Sequence, residues 1–155
     1  MTRWATGAEQ IMAMLADGEL EQVAPSPQNA ARLLAEADRH LRSAALLAAD
    51  DPAGAYDMLY AAARKAMAAA LAAQGLRATS KGGHLAVQDA VTHQLGATGS
   101  VVRPFGRLRR TRNDADYPRL DSPEHTTDDI DEDLPKARQI VAAMGALLPH
   151  LAPWR

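Results

Sequence analysis

Leu47-Ala48-Ala49-Asp50-Asp51-Pro52-Ala53-Gly54-Ala55-Tyr56 decides how this chain folds. The segment entering it carries Leu34, Ala37, Leu41, Ala44 or Ala45 and Ala48 at helical spacing. The segment leaving it does the same through Ala55, Tyr56, Leu59, Ala63, Ala66, Met67, Ala70 and Leu71. Ser26-Pro27 opens the first of these helices and Asp51-Pro52 the second, each a capping residue followed by a proline at the first helical position. The two helices then run to about Asp50 and to Gly75, a natural left-handed cap. A junction this short forces neighbouring antiparallel packing, and the alanine-rich faces allow close approach.

Outward from that hairpin the other elements follow. Upstream, Thr6-Gly7-Ala8-Glu9 has capping-box spacing, Ile11, Met12, Met14 and Leu15 supply an apolar face, and Gly18 stops a short first helix. Glu19 to Ser26 is a connection. Downstream, Arg77 to Gly83 is a loop, His84 to Leu95 a fourth helix through Leu85, Val87 and Val91, and Gly96 to Ser100 a second loop. Val101 to Tyr117 forms a fifth helix with Pro104 in its first turn, followed by an irregular connection from Pro118 to Thr126. The last helix starts at Thr126 or Thr127 and continues through Ile140, Val141, Met144, Leu147 and Leu148, with Pro135 kinking it or marking its true start. The fold class that follows is all-α: an antiparallel up-and-down bundle of four to five main helices with a short N-terminal helix. Residues 1–155 read as one domain, of which 1–25 are the N-terminal helix and its connection.

Composition agrees with this reading. Hydrophobic residues make up 47% of the chain but aromatics only 4%, and the surplus is mostly alanine, which suits helices packed closely on one another. The chain has no cysteine, which excludes disulfides, thiol catalysis and zinc–thiolate sites, and its five histidines lack metal-motif spacing. Neither a metal nor a cofactor is expected. No apolar run approaches the roughly 18 residues of a membrane span and none at the N-terminus has signal length, so a soluble cytoplasmic protein away from membranes is expected. The formal net charge of -2 argues against indiscriminate nucleic-acid binding, yet it conceals a basic cluster and a separate acidic run, Asp128 to Asp133. That run lacks calcium-loop spacing and reads as acids favouring the positive end of a helix dipole.

The basic cluster lies in Gly106-Arg107-Leu108-Arg109-Arg110-Thr111-Arg112-Asn113-Asp114-Ala115-Asp116-Tyr117-Pro118. On a wheel of about 100° per residue, Leu108, Thr111 and Ala115 point to the core with Phe105 at the edge of that face. Arg103, Arg107, Arg110 and Asp114 fall on the opposite side, while Arg109, Arg112 and Asp116 flank the core boundary. An Arg112–Asp116 pair one turn apart would stabilise a solvated helix by roughly 0.3–0.5 kcal/mol. Alternatively, Arg112 and its polar neighbours line a cleft for phosphate, whose oxygens guanidinium matches in bidentate geometry. Ser80-Lys81-Gly82-Gly83 lacks the phosphate-loop pattern and reads as a turn. His84, at the helix start beside those glycines, is the histidine singled out for ligand contact, and Tyr56 and Tyr60 read as packing residues.

Three segments together resemble small prokaryotic members of the HEPN superfamily. They are Ala55-Tyr56-Asp57-Met58-Leu59-Tyr60-Ala61-Ala62-Ala63-Arg64-Lys65-Ala66, the Gly75 to His84 connection, and Arg112-Asn113-Asp114-Ala115-Asp116-Tyr117, which is similar to the Arg-x-x-Ala-Asp-Tyr signature of one branch. Ala137 to Met144 fits as well, and the likeness covers about two thirds of the chain. The resemblance implies a homodimer whose arginine motifs face one cleft. Many relatives are metal-independent endoribonuclease toxins paired with an antitoxin, often a small nucleotidyltransferase. It carries catalytic roles onto Arg112, Asn113 and Tyr117, and RNA or nucleotide binding onto Arg109, Arg112, Asp116 and His84. Tyr117 stands where the nucleases have histidine, and a tyrosine with its ordinary pKa near 10 is a poor base at neutral pH. The alternative role is a non-catalytic binding or antitoxin subunit that regulates a partner enzyme.

Overall fold

The computed structural model describes residues 4–116 and 124–154, with the backbone alone at 115 and 116. Within them lie six α-helices: α1 (Ala8–Ala16), α2 (Pro27–Leu47), α3 (Pro52–Gln74), α4 (Gly83–Leu95), α5 (Phe105–Asp116) and α6 (Thr127–Leu147). Two short strands, β1 (Leu20–Gln22) and β2 (Leu76–Ala78), complete the regular structure with 3-10 turns over Gly96–Val102 and Leu148–His150. The molecule is an all-α bundle.

Local chemistry sets most helix ends. The Ser26 hydroxyl accepts from the Asn29 N–H at 3.1 Å, and the Asp51 carboxylate accepts from the Gly54 N–H at 3.0 Å, so both hairpin helices are capped as their sequences dictate. Thr126 caps α6, its own N–H donating to the Asp129 carboxylate at 2.9 Å. At α1 the cap is Gly7 at φ 74 rather than Thr6, because the Gly7 position lies hard against the His93 carbonyl and leaves no room for a side chain. Helix α5 begins at Phe105, later than expected, since the Gly96–Val102 segment tightens into 3-10 turns before Pro104. Pro135 sits inside α6 without ending it.

Helix α3 is the hub. Residues on nearly every side of it are buried, from Ala55, Tyr56 and Leu59 through Ala62, Ala63, Ala66 and Met67 to Ala69, Ala70 and Leu71. A helix apolar all round must be enclosed, and its small side chains let neighbours approach closely. The most extensive of its interfaces is with α2, the next with α6, and α4 and α5 cover the remainder. Thr127 bonds to the Ala48 carbonyl and Gly145 faces Leu34, so α6 runs antiparallel to α2. Helix α4 instead runs in the same sense as α3, because His84 meets Tyr60 near its start and Gln94 meets Gln74 near its end. The strict alternation expected from the sequence thus holds for the α2–α3 hairpin and not for α4. One apolar cluster links all six helices, from Ile11 through Leu41, Met67, Val91, Phe105 and Leu108 to Ile140 and Met144.

The connections on either side of the hairpin, read from sequence as loops, contain the two strands. They pair antiparallel, Leu20 with Ala78, Glu21 with Arg77 and Gln22 with Leu76, and so close the base of the α2–α3 hairpin. The paired residues are far apart in sequence, 56 positions for the Glu21–Arg77 pair with its ion pair at 2.7 Å, so local pattern could not announce it. Gly75 permits it: at φ +78 a Cβ would lie 2.6 Å from the Val23 carbonyl oxygen. The C-terminus docks on the same end, where the Trp154 N–H donates to the Gln74 carbonyl at 2.7 Å and the indole is buried.

A buried polar network joins α3, α5 and α6. The Tyr56 hydroxyl donates to Asp133 at 2.7 Å, Lys136 donates to the same carboxylate at 2.9 Å, and Arg107 Nε lies 3.3 Å from it. Burial would raise the Asp133 pKa, but hydrogen bonds from Lys136 and Tyr56 and the Arg107 charge outweigh it and hold the carboxyl below its ordinary value. The corresponding stability is present above the unfolded-state pKa and is lost as pH falls through the lowered folded one. Asp133→Ala is expected to cost about 2–3 kcal/mol by stranding the buried Tyr56 hydroxyl and removing the carboxylate that Arg107 and Lys136 share, and Tyr56→Phe about 1–2 kcal/mol. Urea unfolding at neutral pH checks both, and a loss below half a kilocalorie for Asp133→Ala would contradict the network's role.

Candidate cationic site

Helix α5 presents its arginines according to its apolar register. Phe105 and Leu108 are fully buried, which leaves Arg109 and Arg112 half-buried at the boundary and Arg103 and Arg110 exposed. This is the partition the wheel predicts. Phe105 stacks on Tyr60 of α3, with ring centroids 5.2 Å apart and planes 15° from parallel. That contact fixes α5 against α3 and carries Arg112, two turns further on, to the same ring: its guanidinium carbon lies 5.5 Å from the Tyr60 centroid. Arg112 Nε also lies 3.5 Å from an Asp57 carboxylate oxygen.

Helix α4 supplies the imidazole. Its first turn places His84 Nδ1 in hydrogen-bond contact with the Tyr60 hydroxyl, which leaves Nε2 as the ring nitrogen for a ligand. Burial lowers the His84 pKa, and the charges of Arg64, Arg112 and Arg109 lower it further. Burial raises the pKa of Tyr60, so this pair is neutral at pH 7 amid three guanidinium groups. A cavity of about 350 Å³ opens beside it, lined by Arg64, Arg77, Thr79, Ser80, Gly83 and His84 among others. The Nε–H of Arg109 is buried and has no hydrogen-bond partner among the described residues. Such an arrangement can hold a phosphate through bidentate guanidinium contacts and exchange a proton at the imidazole.

Not every candidate from the sequence joins this cluster. Arg112 and His84 meet at Tyr60, with Arg109 one turn before Arg112 on α5, whereas Asn113 is half-buried and makes no hydrogen bond to them among the described residues. Tyr117 and the side chain of Asp116 lie outside the described residues, as does the expected Arg112–Asp116 pair; the acid described beside Arg112 is Asp57. Arg107, placed by the wheel on the solvent face, is tied to Glu132 at 3.2 Å and to Asp133, which commits it to structure. Asp133 itself, read as one of a run of helix-start acids, is fully buried because Ile130, Leu134 and Ala137 set the register of α6. Asp57, Tyr60 and Arg64 were missed as site residues. Their spacing of three and four along one face of α3 was the available signal, since such positions are neighbours on a helix.

His125 packs edge-on against Tyr56 with centroids 5.0 Å apart, and its Nε2 is buried without a partner among the described residues. Among the described residues no group of three histidines, aspartates or glutamates could hold a metal, and no helix is long and apolar enough to cross a membrane. Compared with known protein families, characterised proteins and solved structures, the chain has no match.

The His84 titration is the direct probe of this site. Its midpoint is expected below the ordinary value of 6.5, and removing a positive neighbour should raise it, Arg64→Ala more than Arg112→Ala. Because the folded pKa is depressed, the unfolded chain binds the proton first and stability falls as pH drops below about 6.5. Imidazole NMR shifts measured across this range check the order, and an unshifted midpoint in Arg64→Ala would contradict the geometry.

Proposed function

We propose that this chain is a HEPN-like helical protein that binds RNA through the α3–α4–α5 cationic site, as one member of a toxin–antitoxin-like pair. The observation that carries the reading is the hydrogen-bonded Tyr60–His84 pair with Arg112 over the Tyr60 ring and Arg64 beside His84 in the cavity wall, Arg109 preceding Arg112 by one turn of α5. Three cations from two helices held around a neutral imidazole form a phosphate-binding arrangement beyond what bundle stability requires. Stability is already served elsewhere, by the α2–α3 pair Lys65–Glu36 at 2.7 Å and by the Asp133 network. The resemblance of residues 112–117 to the Arg-x-x-Ala-Asp-Tyr signature gives the same stretch the same role, and a homodimer with two such sites facing one cleft belongs to this reading.

In a ribonuclease of this kind the arginines hold the scissile phosphate and stabilise the charge that develops on it. The proton acceptor for a ribose 2′-hydroxyl must be a base that is unprotonated at neutral pH, and the His84 imidazole, its pKa lowered below the ordinary 6.5, offers Nε2 for that where a tyrosine hydroxyl does not. The second reading, a non-catalytic subunit that docks on a partner enzyme, is favoured by one separate feature. A groove of about 770 Å³ runs between α2 and α6, lined by Leu34, Leu41, Leu46 and Val141 with Asp38 and Arg138 among its polar residues, and Leu46 is 84% exposed.

Fluorescence anisotropy with single-stranded RNA at low salt separates the readings. Arg109→Ala and Arg112→Ala should each weaken binding about tenfold, as expected for loss of a charge-assisted contact, whereas Arg110→Ala on the exposed face should change it less than threefold. If the protein cleaves RNA, His84→Ala should abolish cleavage while retaining binding. Unaltered RNA affinity in Arg109→Ala and Arg112→Ala would overturn the RNA-binding reading.

A further inference from the structure

The cationic cavity does not end at its charged wall. A second pocket of about 230 Å³ adjoins it between α2, β2 and α3, and the two share Ala68, Arg77, Ala78 and Val87 as common wall. The character of the lining changes across that wall. On the first side stand Arg64, Ser80 and His84; on the second, Leu33, Leu71 and Leu76 with Ala72. Ser26 and Asn29 add polar groups to the lining of the second pocket. Asn29 Oδ1 already accepts from Arg32 at 2.6 Å, so the Asn29 amide N–H group remains to donate.

Charge, then an apolar slot, then a donor in its lining is the sequence of chemistry along one nucleotide: phosphate, base face, base edge. We propose that the pocket lined by Leu33, Leu71, Ala72 and Leu76 seats one unpaired nucleobase of the RNA whose phosphate lies against Arg64 and His84. The proposal rests on the phosphate-binding reading above and adds the substrate class. A base stacked in a duplex cannot enter a slot between helices, whereas bases of single strands, loops and ends can be splayed out and held by their faces and edges. The protein therefore selects single-stranded RNA and reads one base of it, with Asn29 facing an acceptor on the base edge.

Binding of an oligoadenylate is compared with that of an abasic ribose-phosphate oligomer of the same length, by anisotropy, on the full chain. The wild-type protein should bind the oligoadenylate about tenfold more tightly, the scale of one buried base, and a duplex of the same length no better than the abasic oligomer. Ala72→Phe, which fills the slot, should bring the oligoadenylate down to the abasic oligomer's affinity. Thermal unfolding shows whether that variant folds, and Asn29→Ala in the lining is the second variant, expected to shrink the preference severalfold. Equal wild-type affinities for the two oligomers, or a preference untouched in both folded variants, overturns the base pocket while leaving phosphate binding standing. Failure of the wild type to bind either oligomer overturns both.

Discussion

The enclosure of α3 is the constraint on which everything else depends. An alanine-rich helix of 23 residues can be buried on all sides only if its neighbours approach closely, and they do so because little side chain stands in the way. Two tyrosines interrupt this small-residue surface, Tyr56 and Tyr60, one turn apart and both buried. Each hydroxyl, once buried, needs a hydrogen-bond partner. Tyr56 finds Asp133, which draws Arg107, and Tyr60 finds His84, while the Tyr60 ring and Asp57 hold Arg112 beside the pair.

The two resulting clusters have different chemistry despite their similar origin. Around Tyr56 the charges balance: the carboxylates of buried Asp133 and of Glu132 are met by Arg107 and Lys136, and the Asp133 pKa is held low. Around Tyr60 they do not. Arg64, Arg109 and Arg112 depress His84 without an acid at its centre, Asp57 lying at the side against Arg112. A satisfied ion network stiffens the bundle, and an excess of cation beside a cavity is suited to an anionic ligand. The same helix α5 serves both, with Arg107 on one side and Arg109 and Arg112 on the other.

Closing the hairpin with β1 and β2 has a further effect on the site. The strand pair holds residues 76–78 under the end of α3, and from there the chain returns to begin α4 beside Tyr60. The Thr79 N–H donates to the Glu19 carbonyl at 3.0 Å, and the Thr79 hydroxyl accepts from the Gly82 N–H at 3.3 Å, so the turn that presents His84 is anchored to the strand. Ser80 to Gly82 form a turn, as the sequence reads, that leads into α4 at Gly83 and is positioned by a strand that the sequence does not reveal. A three-residue strand whose partner lies on the far side of two long helices has no periodicity to betray it.

The sequence by itself determined the helices, their caps and which residues face inward: Ser26, Asp51, Gly75 and Thr126 act where their chemistry places them, and Arg109 and Arg112 fall at the core boundary because Phe105 and Leu108 fall inside it. These are properties of residues within a turn or two of one another, and spacing encodes them. The tertiary structure alone decided which arginine meets which acid and which histidine meets a tyrosine. Tyr56 and Asp133 are 77 residues apart and Tyr60 and His84 are 24, so their meeting depends on how helices cross. The wheel separates Arg107 on the solvent side from Arg112 at the core boundary but names no partner for either. Only the packing of α6 on one flank of α3 and of α4 on the other gave the first a structural partner and the second a place beside the cavity's histidine.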